Sequence, residues 1–188
     1  MKKKIAILGS TGSIGKSTID ILRKDKKNFD VVLLTTNNNY REILKQAKEF
    51  KARNIIINNK KHYLTSKKKL RNNKINIFNN FQSFNNKFKS KIDFSMSAIS
   101  GLEGLKPTLD LIKFSKTIAI ANKESIICAW NLIQQRLNKY KTKFIPVDSE
   151  HFSIWSLLNG NRNNNVEEVI ITASGGPFLK LSLNKFKK

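Results

Sequence analysis

Four short stretches of this chain carry residue types that could do chemistry. The first is Gly9-Ser10-Thr11-Gly12-Ser13-Ile14-Gly15. Its G-x-x-G-x-x-G spacing is a variant of the glycine fingerprint that lets a backbone turn sharply and approach a phosphate. The second, Asn122-Lys123-Glu124, offers an amide, a cation and a carboxylate in a row. The third, Asp148-Ser149-Glu150-His151, sets two carboxylates two residues apart, on one side of an extended segment. Such a pair suits a hard cation such as Mg²⁺ or Mn²⁺. It equally suits a helix start, with Asp148 or Ser149 as cap and Glu150 favoured by the dipole. The fourth is Ser174-Gly175-Gly176. Lys123 reads either as an anion contact or as a surface lysine. His151 reads best as a structural hydrogen-bonding group, and His62 has no evident partner in the sequence. Cys128 sits in an apolar run with Ile126, Ile127, Ala129 and Trp130, so a buried, inert thiol is expected.

These stretches need elements to hold them. Ile5 to Leu8 reads as a buried strand and Lys16 to Arg23 as a helix, so the glycine loop lies at a helix N-terminus, where free N–H groups and the dipole favour an anion. Asp30 to Thr36 is a second strand, continuously apolar at Val31 to Leu34 as in parallel sheets covered on both faces. Tyr40 to Phe50 reads as a helix and Arg53 to Ile57 as a third strand. This alternation is a dinucleotide-binding half. The stretch from Asn58 to Lys91 is ambiguous, with a short helix around His62 to Leu70 and a small strand at Ile75 to Phe78. Strands at Ile92–Ile99, Thr117–Ala121, Lys143–Val147 and Val166–Thr172 follow. Helices are expected at Leu105–Phe114, at about Ile126–Tyr140 and at Phe152–Leu158. The chemistry-bearing clusters leave carboxyl ends of strands, where open α/β sheets bind ligands. The expected class is α/β, a Rossmann-like doubly wound, mostly parallel sheet. Residues 1–147 would form the nucleotide domain and 148–188 the beginning of a second α/β domain.

The second strand ends in Asn37-Asn38-Asn39 with no acid, and Arg41 follows. An acid there would hold a ribose 2′-hydroxyl; its absence favours a 2′-phosphate, hence NADP(H) over NAD(H). The formal charge is +23, from 36 Lys and Arg against 13 Asp and Glu. Lysine, asparagine, isoleucine and phenylalanine are abundant together and the lysines are dispersed along the chain, so compositional drift is preferred to a specific nucleic-acid site. A salt-sensitive attraction to polyanions would still follow. No apolar run approaches a membrane span. The single cysteine cannot form an internal disulfide, and the basic start, Met1-Lys2-Lys3-Lys4, lacks the apolar segment of a signal peptide. A cytoplasmic setting is expected.

Gly9 to Gly15, Ala121-Asn122-Lys123-Glu124-Ser125, Pro146-Val147-Asp148-Ser149-Glu150-His151 and Ala173-Ser174-Gly175-Gly176-Pro177-Phe178 occur in the order and spacing of a known set of proteins. Together they make the chain resemble 1-deoxy-D-xylulose 5-phosphate reductoisomerases up to Phe178. The resemblance implies metal-assisted isomerisation of 1-deoxy-D-xylulose 5-phosphate. Reduction by NADPH to 2-C-methyl-D-erythritol 4-phosphate would follow, as a step of non-mevalonate isoprenoid synthesis. It implies that Thr11, Gly12, Ser13 and Ile14 hold the cofactor pyrophosphate and that Asn37, Asn38 and Asn39 lie near the adenosine. Asn122 and Glu124 would lie near the nicotinamide. Lys123, Ser149 and Ser174 would contact the phosphorylated sugar, and Asp148 and Glu150 would ligate the metal. Lys123, Asp148 and Glu150 are then the catalytic candidates. A homodimer is implied for the full-length family. Members commonly carry Gly-Lys-Asn where this chain has Asn37 to Asn39, which removes a lysine from the 2′-phosphate region. They also run to about twice this length, roughly two to three domains. A third acidic ligand, a histidine, a mobile loop and a helical domain are expected in that further part. The 188 residues alone are therefore expected to turn over little or no substrate. The rival readings are a non-catalytic NADP-binding remnant and another NADP-dependent dehydrogenase that uses Cys128.

Overall fold

The computed structural model describes residues 1–70, 74–160 and 166–170. The chain divides into two compact units, Met1–Asp148 and Ser149–Lys188. The first unit is built on seven strands in the order β4-β3-β2-β1-β5-β6-β7. They are β1 (Lys3–Leu8), β2 (Phe29–Thr36), β3 (Asn54–Ile57), β4 (Asn76–Phe78), β5 (Ile92–Ser97), β6 (Ser115–Ile120) and β7 (Lys143–Pro146). All six pairings are parallel. The helices are α1 (Ser13–Lys24), α2 (Tyr40–Glu49), α3 (Lys60–Lys69), α4 (Phe81–Lys87), α5 (Leu105–Ile112) and α6 (Lys123–Tyr140). The expected doubly wound α/β architecture is therefore present. Strand order reverses at β1 and β5, which places the switch crevice at the glycine loop.

Alternation along β1 shows why the sheet is covered twice. Ile5 and Ile7 pack with Ile19, Leu22, Ile43 and Ala47 of α1 and α2. Ala6 and Leu8 face the other way, with Phe84 and Leu111 of α4 and α5. Successive side chains of a strand point to opposite faces, so both must be apolar when helices lie on both. A separate cluster around Ile118, Ile120 and Ile133 seats α6.

The ambiguous stretch resolves into α3, β4 and α4. The phenylalanines there build a core: Phe84 is fully buried and packs with Phe78, Phe81, Phe88 and Phe114 at centroid distances of 4.8 to 6.4 Å. Burying one such ring is worth about 1.5–3 kcal/mol. The helix α6 begins three residues before its expected start, because Asn122 caps it. Cys128 is exposed, contrary to expectation. The buried stripe of α6 runs Ser125, Ala129, Ile133, Leu137, every fourth residue, with a non-helical kink at Ala129. Ile127, Cys128, Trp130 and Leu132 fall outside that stripe.

In the second unit, α7 spans Ser149–Gly160, longer at both ends than the expected Phe152–Leu158. Val166–Ile170 forms no strand. A strand is defined by ladder partners, and these residues have none among the described residues. Ile171 and Thr172, the end of the expected strand, lie outside the described residues. No described helix is long and apolar enough to cross a membrane.

Candidate functional site

The loop between β1 and α1 is shaped by two glycines and opened by a third. Gly9 has φ of 73°, and a Cβ on it would lie 2.7 Å from the Ala98 carbonyl oxygen. A Cβ on Gly15 would collide with the Gly9 carbonyl oxygen and with Ser10. These two are required by packing. Gly12 is different: a Cβ there would meet only Gly9 O, at 3.4 Å. The fold does not need a glycine at 12: its N–H donates to the Gly9 carbonyl at 3.0 Å, and its missing side chain leaves the space beside the helix start open.

The start of α1 is arranged as an anion site. No side chain caps it and no acid lies in its first turn. By contrast, Asn39, Asn59, Asn80 and Asn122 cap α2, α3, α4 and α6. Orphan N–H groups at an uncapped N-terminus take an anion readily. Gly12, Ser13 and Ile14 are exposed there, and Thr11 is half-buried.

The loop is tied to β2. Gly9 N–H donates to Thr35 Oγ1 at 2.9 Å and Ser10 N–H to the Thr35 carbonyl at 3.0 Å. The Thr11 and Thr36 hydroxyls bond at 2.7 Å. Gln46 Nε2 of α2 donates to the Ser10 carbonyl at 3.1 Å. The strand that follows the loop therefore sets its shape. Sequence reading did not single out Thr35, Thr36 or Gln46; polar residues on an otherwise apolar strand and helix face were the available signal.

Beyond β2, Asn37, Asn38 and Asn39 are exposed. Asn39 Oδ1 accepts from Glu42 N–H at 3.3 Å, and Asn38 Oδ1 accepts from Asn59 Nδ2 at 3.0 Å. Next to them the Tyr40 ring stacks on His62 at 4.8 Å, which gives His62 the partner the sequence did not show. The Arg41 guanidinium lies 6.0 Å from the Tyr40 ring centroid and Lys69 Nζ 5.5 Å from it. A hydrogen bond with Arg41, and the charge of Lys69, pull the Tyr40 phenol below its ordinary range. Among these residues Glu42 is the one acid, and the surroundings of Tyr40 are cationic.

On the other side of the crevice, Asn122 is buried at 3% exposure. Its Nδ2 donates to the carbonyls of Ile99 and Gly101, both at 2.6 Å, and its Oδ1 accepts from Ser125 N–H at 2.9 Å. The side chain is fully engaged within the protein, and it fixes the loop after β5 against the start of α6. Lys123 and Glu124 stand exposed in the first turn of α6, next to that clamp. Val147 N–H donates to the Ile120 carbonyl at 3.2 Å, which brings the half-buried Asp148 to the same sheet edge.

In the second unit, Ser149 Oγ donates to Glu150 Oε2 at 2.9 Å, and Ser153 Oγ donates to the Ser149 carbonyl at 2.7 Å. Ser149, Glu150 and Ser153 line a hollow of about 590 Å³ with Leu157, Val166 and Ile170. Ser174 lies outside the described residues. Among the described residues no group of three or more His, Cys, Asp or Glu side chains gathers as a metal site. The two carboxylates Asp148 and Glu150 thus do not by themselves make up the donor set of a hard divalent cation.

Comparison with known proteins shows the family of the chain. Residues 5–130 match the 1-deoxy-D-xylulose 5-phosphate reductoisomerase family and residues 144–188 match that enzyme's C-terminal domain family. The chain is 61% identical over 187 residues to the 1-deoxy-D-xylulose 5-phosphate reductoisomerase of Pelagibacter ubique (98% of this chain, 48% of the relative). It is 40% identical to that of a Wolbachia from Brugia malayi, over 98% of this chain and 48% of the relative. The Zymomonas mobilis reductoisomerase in complex with NADPH superposes with a TM-score of 0.85 at 34% identity, covering 98% of this chain and 49% of that one. A further reductoisomerase structure, in complex with NADPH, fosmidomycin and magnesium, gives 0.71 at 30% identity over 79% of this chain and 37% of that one. The chain spans about half the length of the curated relatives it matches, 48% in both cases. It belongs to the 1-deoxy-D-xylulose 5-phosphate reductoisomerase family.

Proposed function

We propose that this chain supplies the NADPH-holding part of a reductoisomerase that converts 1-deoxy-D-xylulose 5-phosphate to 2-C-methyl-D-erythritol 4-phosphate. The observation that carries the reading is the uncapped start of α1 behind Gly12, where backbone is open without a packing reason. Thr11, Gly12, Ser13 and Ile14 would hold the pyrophosphate, Ser13 and Ile14 with main-chain N–H groups and Gly12 by its missing side chain, since its own N–H is given to the Gly9 carbonyl at 3.0 Å. Asn37, Asn38 and Asn39 would line the adenosine ribose, and Arg41 would meet the 2′-phosphate in place of the family's lysine. When bound, NADPH supplies a hydride from its nicotinamide.

Asn122 would act at the nicotinamide end by holding the loop after β5, and Glu124 by facing the crevice. Lys123, Ser149 and Ser174 would bind and orient the anionic sugar phosphate. Asp148 and Glu150 would be two of the oxygen ligands of Mg²⁺ or Mn²⁺, which when bound would polarise the sugar's oxygens. Because two carboxylates fall short of a hard cation's usual ligand count, the 188-residue polypeptide alone would bind cofactor without turning over substrate. A cytoplasmic site of action and, for the full-length enzyme, a homodimer complete the reading.

Calorimetric titration of the 188-residue protein tests it. NADPH should bind more tightly than NADH, with Arg41→Ala erasing most of the difference, about tenfold for one lost charge-assisted contact. Tighter NADH binding would overturn the cofactor assignment. Substrate-dependent loss of nicotinamide absorbance by the same polypeptide with Mn²⁺ would overturn the assignment of inactivity.

A further inference from the structure

Lysines dispersed along the sequence are gathered by the fold. Because all strands are parallel, every loop leaving a strand lies at one sheet edge and every loop feeding a strand lies at the other. The loops that leave β1 to β7 contain no lysine or arginine. Each loop that feeds β2 to β7 contains at least one. Compositional drift toward lysine would load both sets of solvent-facing loops alike. A helix dipole favours cations in the last turn of a helix, but its effect fades beyond that turn, where these residues sit.

Most acids at this feeding edge are paired with cations; Asp25, in the loop that feeds β2, is exposed and accepts from Asn28 Nδ2. Glu49 is held by Arg23 and Lys26, Asp30 by Arg53, and Asp93 by Lys116 and the Lys4 N–H. Lys27, Lys51, Lys141 and Lys143 are exposed and make no ion pair among the described residues. At the β5–β6–β7 end, Lys91, Lys116, Lys141 and Lys143 line a trough of about 500 Å³ beside Tyr140, with Asp93 the one acid among its lining residues. Lys51 and Lys141 both hold the left-handed conformation, φ of 52°, at turns where glycine or asparagine is the unstrained choice.

We infer that this amino-terminal sheet edge is a docking surface for the phosphodiester backbone of duplex nucleic acid, bound without sequence preference. Seven strands about 4.8 Å apart give a cationic rim about 29 Å long. A duplex presents one phosphate charge per about 1.7 Å of its axis, a continuous match for such a row. The rim is built mostly of lysine, a point charge suited to phosphates, and Arg53 is committed to Asp30. Apart from Met1, no large apolar side chain among the described residues is exposed there to enter a lipid surface. The rim lies at the opposite edge from the glycine loop, so duplex and dinucleotide do not compete.

Fluorescence anisotropy of a labelled duplex of roughly 20 base pairs, titrated with the 188-residue protein across a salt series, tests this. Binding should be in the micromolar range at low salt and fall by a power of salt concentration set by the phosphates contacted, about 0.9 per phosphate. The triple variant Lys91→Gln, Lys141→Gln, Lys143→Gln should bind at least tenfold more weakly, with the salt slope reduced by about 3. Lys45→Gln, Lys60→Gln, Lys61→Gln removes the same charge elsewhere and should leave both within twofold. If the triple rim variant does not fold, Lys143→Gln alone should reduce the slope by about 1. Equal losses in the two triple variants, competition by NADPH, absence of duplex binding, or preference for anionic vesicles over the duplex would each overturn the inference.

Discussion

Thr35 Oγ1 accepts a hydrogen bond from Gly9 N–H at 2.9 Å, while the Thr35 carbonyl accepts one from Ser10 N–H at 3.0 Å. One residue of β2 thus fixes two successive N–H groups at the start of the glycine loop. Thr35 is buried at 3% exposure, so water does not replace its hydroxyl. Thr35→Val keeps the shape and removes the acceptor. An unsatisfied buried N–H costs about 1–3 kcal/mol. Urea melts should show that loss, and NADPH affinity should fall because the loop is no longer held. A variant as stable as the parent would show that the bond is dispensable.

The glycines separate fold from function. Gly15→Ala places a methyl against the Gly9 carbonyl and should destabilise the protein in the range of overpacking, about 1–3 kcal/mol. Gly12→Ala meets nothing closer than 3.4 Å and should melt within about 0.5 kcal/mol of the parent. Its NADPH affinity should nonetheless drop several-fold, since the methyl occupies the space into which a pyrophosphate would come. Thermal melts and titrations together should show a stable Gly12→Ala protein with weakened binding. Unchanged NADPH affinity in Gly12→Ala would remove the main support for a phosphate at that position.

Asn122 makes a different point. Its three hydrogen bonds join the loop after β5 to the start of α6. Asn122→Ala strips the cap from α6 and leaves the Ile99 and Gly101 carbonyls without their donor, a loss of about 2–3 kcal/mol. Asn122→Asp keeps the cap but turns a carboxylate oxygen toward two carbonyl oxygens, and should be at least as damaging. Chemical denaturation of both variants checks this. An aspartate variant of parental stability would mean that capping alone is the role.

Much of this fold was legible in the sequence because two-sided burial writes continuous apolar runs, as at Val31 to Leu34, and because glycine at 9 marks a tight turn and glycine at 15 a close approach of the helix start to that turn. The positions of Lys123, Glu124 and Asp148 at one sheet edge follow from the same alternation. Other features were hidden for physical reasons. The helix α4 has seven residues, too few to show a helical period, and its phenylalanines only make sense once Phe78 and Phe114 surround Phe84. The exposure of Cys128 depends on which stripe of α6 faces Ile118 and Ile120, and Asn122 sets where that helix starts. The lysine rim is invisible along the chain, because only the parallel topology brings Lys26, Lys51, Lys91 and Lys141 to one edge.

The network at Glu49 gives a pH dependence with a definite sign. Arg23 donates to Glu49 through Nε at 2.9 Å and Nη2 at 2.8 Å, and Lys26 Nζ lies 2.8 Å from Oε1. The Arg23 hydrogen bonds, above all, hold the Glu49 carboxyl down at about 2. Its ordinary value is 4.5. A depressed carboxylate contributes stability that is fully present above its unfolded value and fades as pH falls toward its folded value. The relevant window therefore runs from about 4.5 down to about 2. The pairs are part-exposed, with Arg23 at 37% and Lys26 at 47% side-chain exposure, so solvent screening limits the network to about 0.5–1 kcal/mol. Glu49→Gln should lose that amount at neutral pH, by urea melts against the parent. The difference should persist to about pH 5, narrow by about pH 3, and shrink at neutral pH in roughly 1 M salt. A difference that stays constant down to about pH 3 would mean that Glu49 acts through packing on α2 and not through its charge.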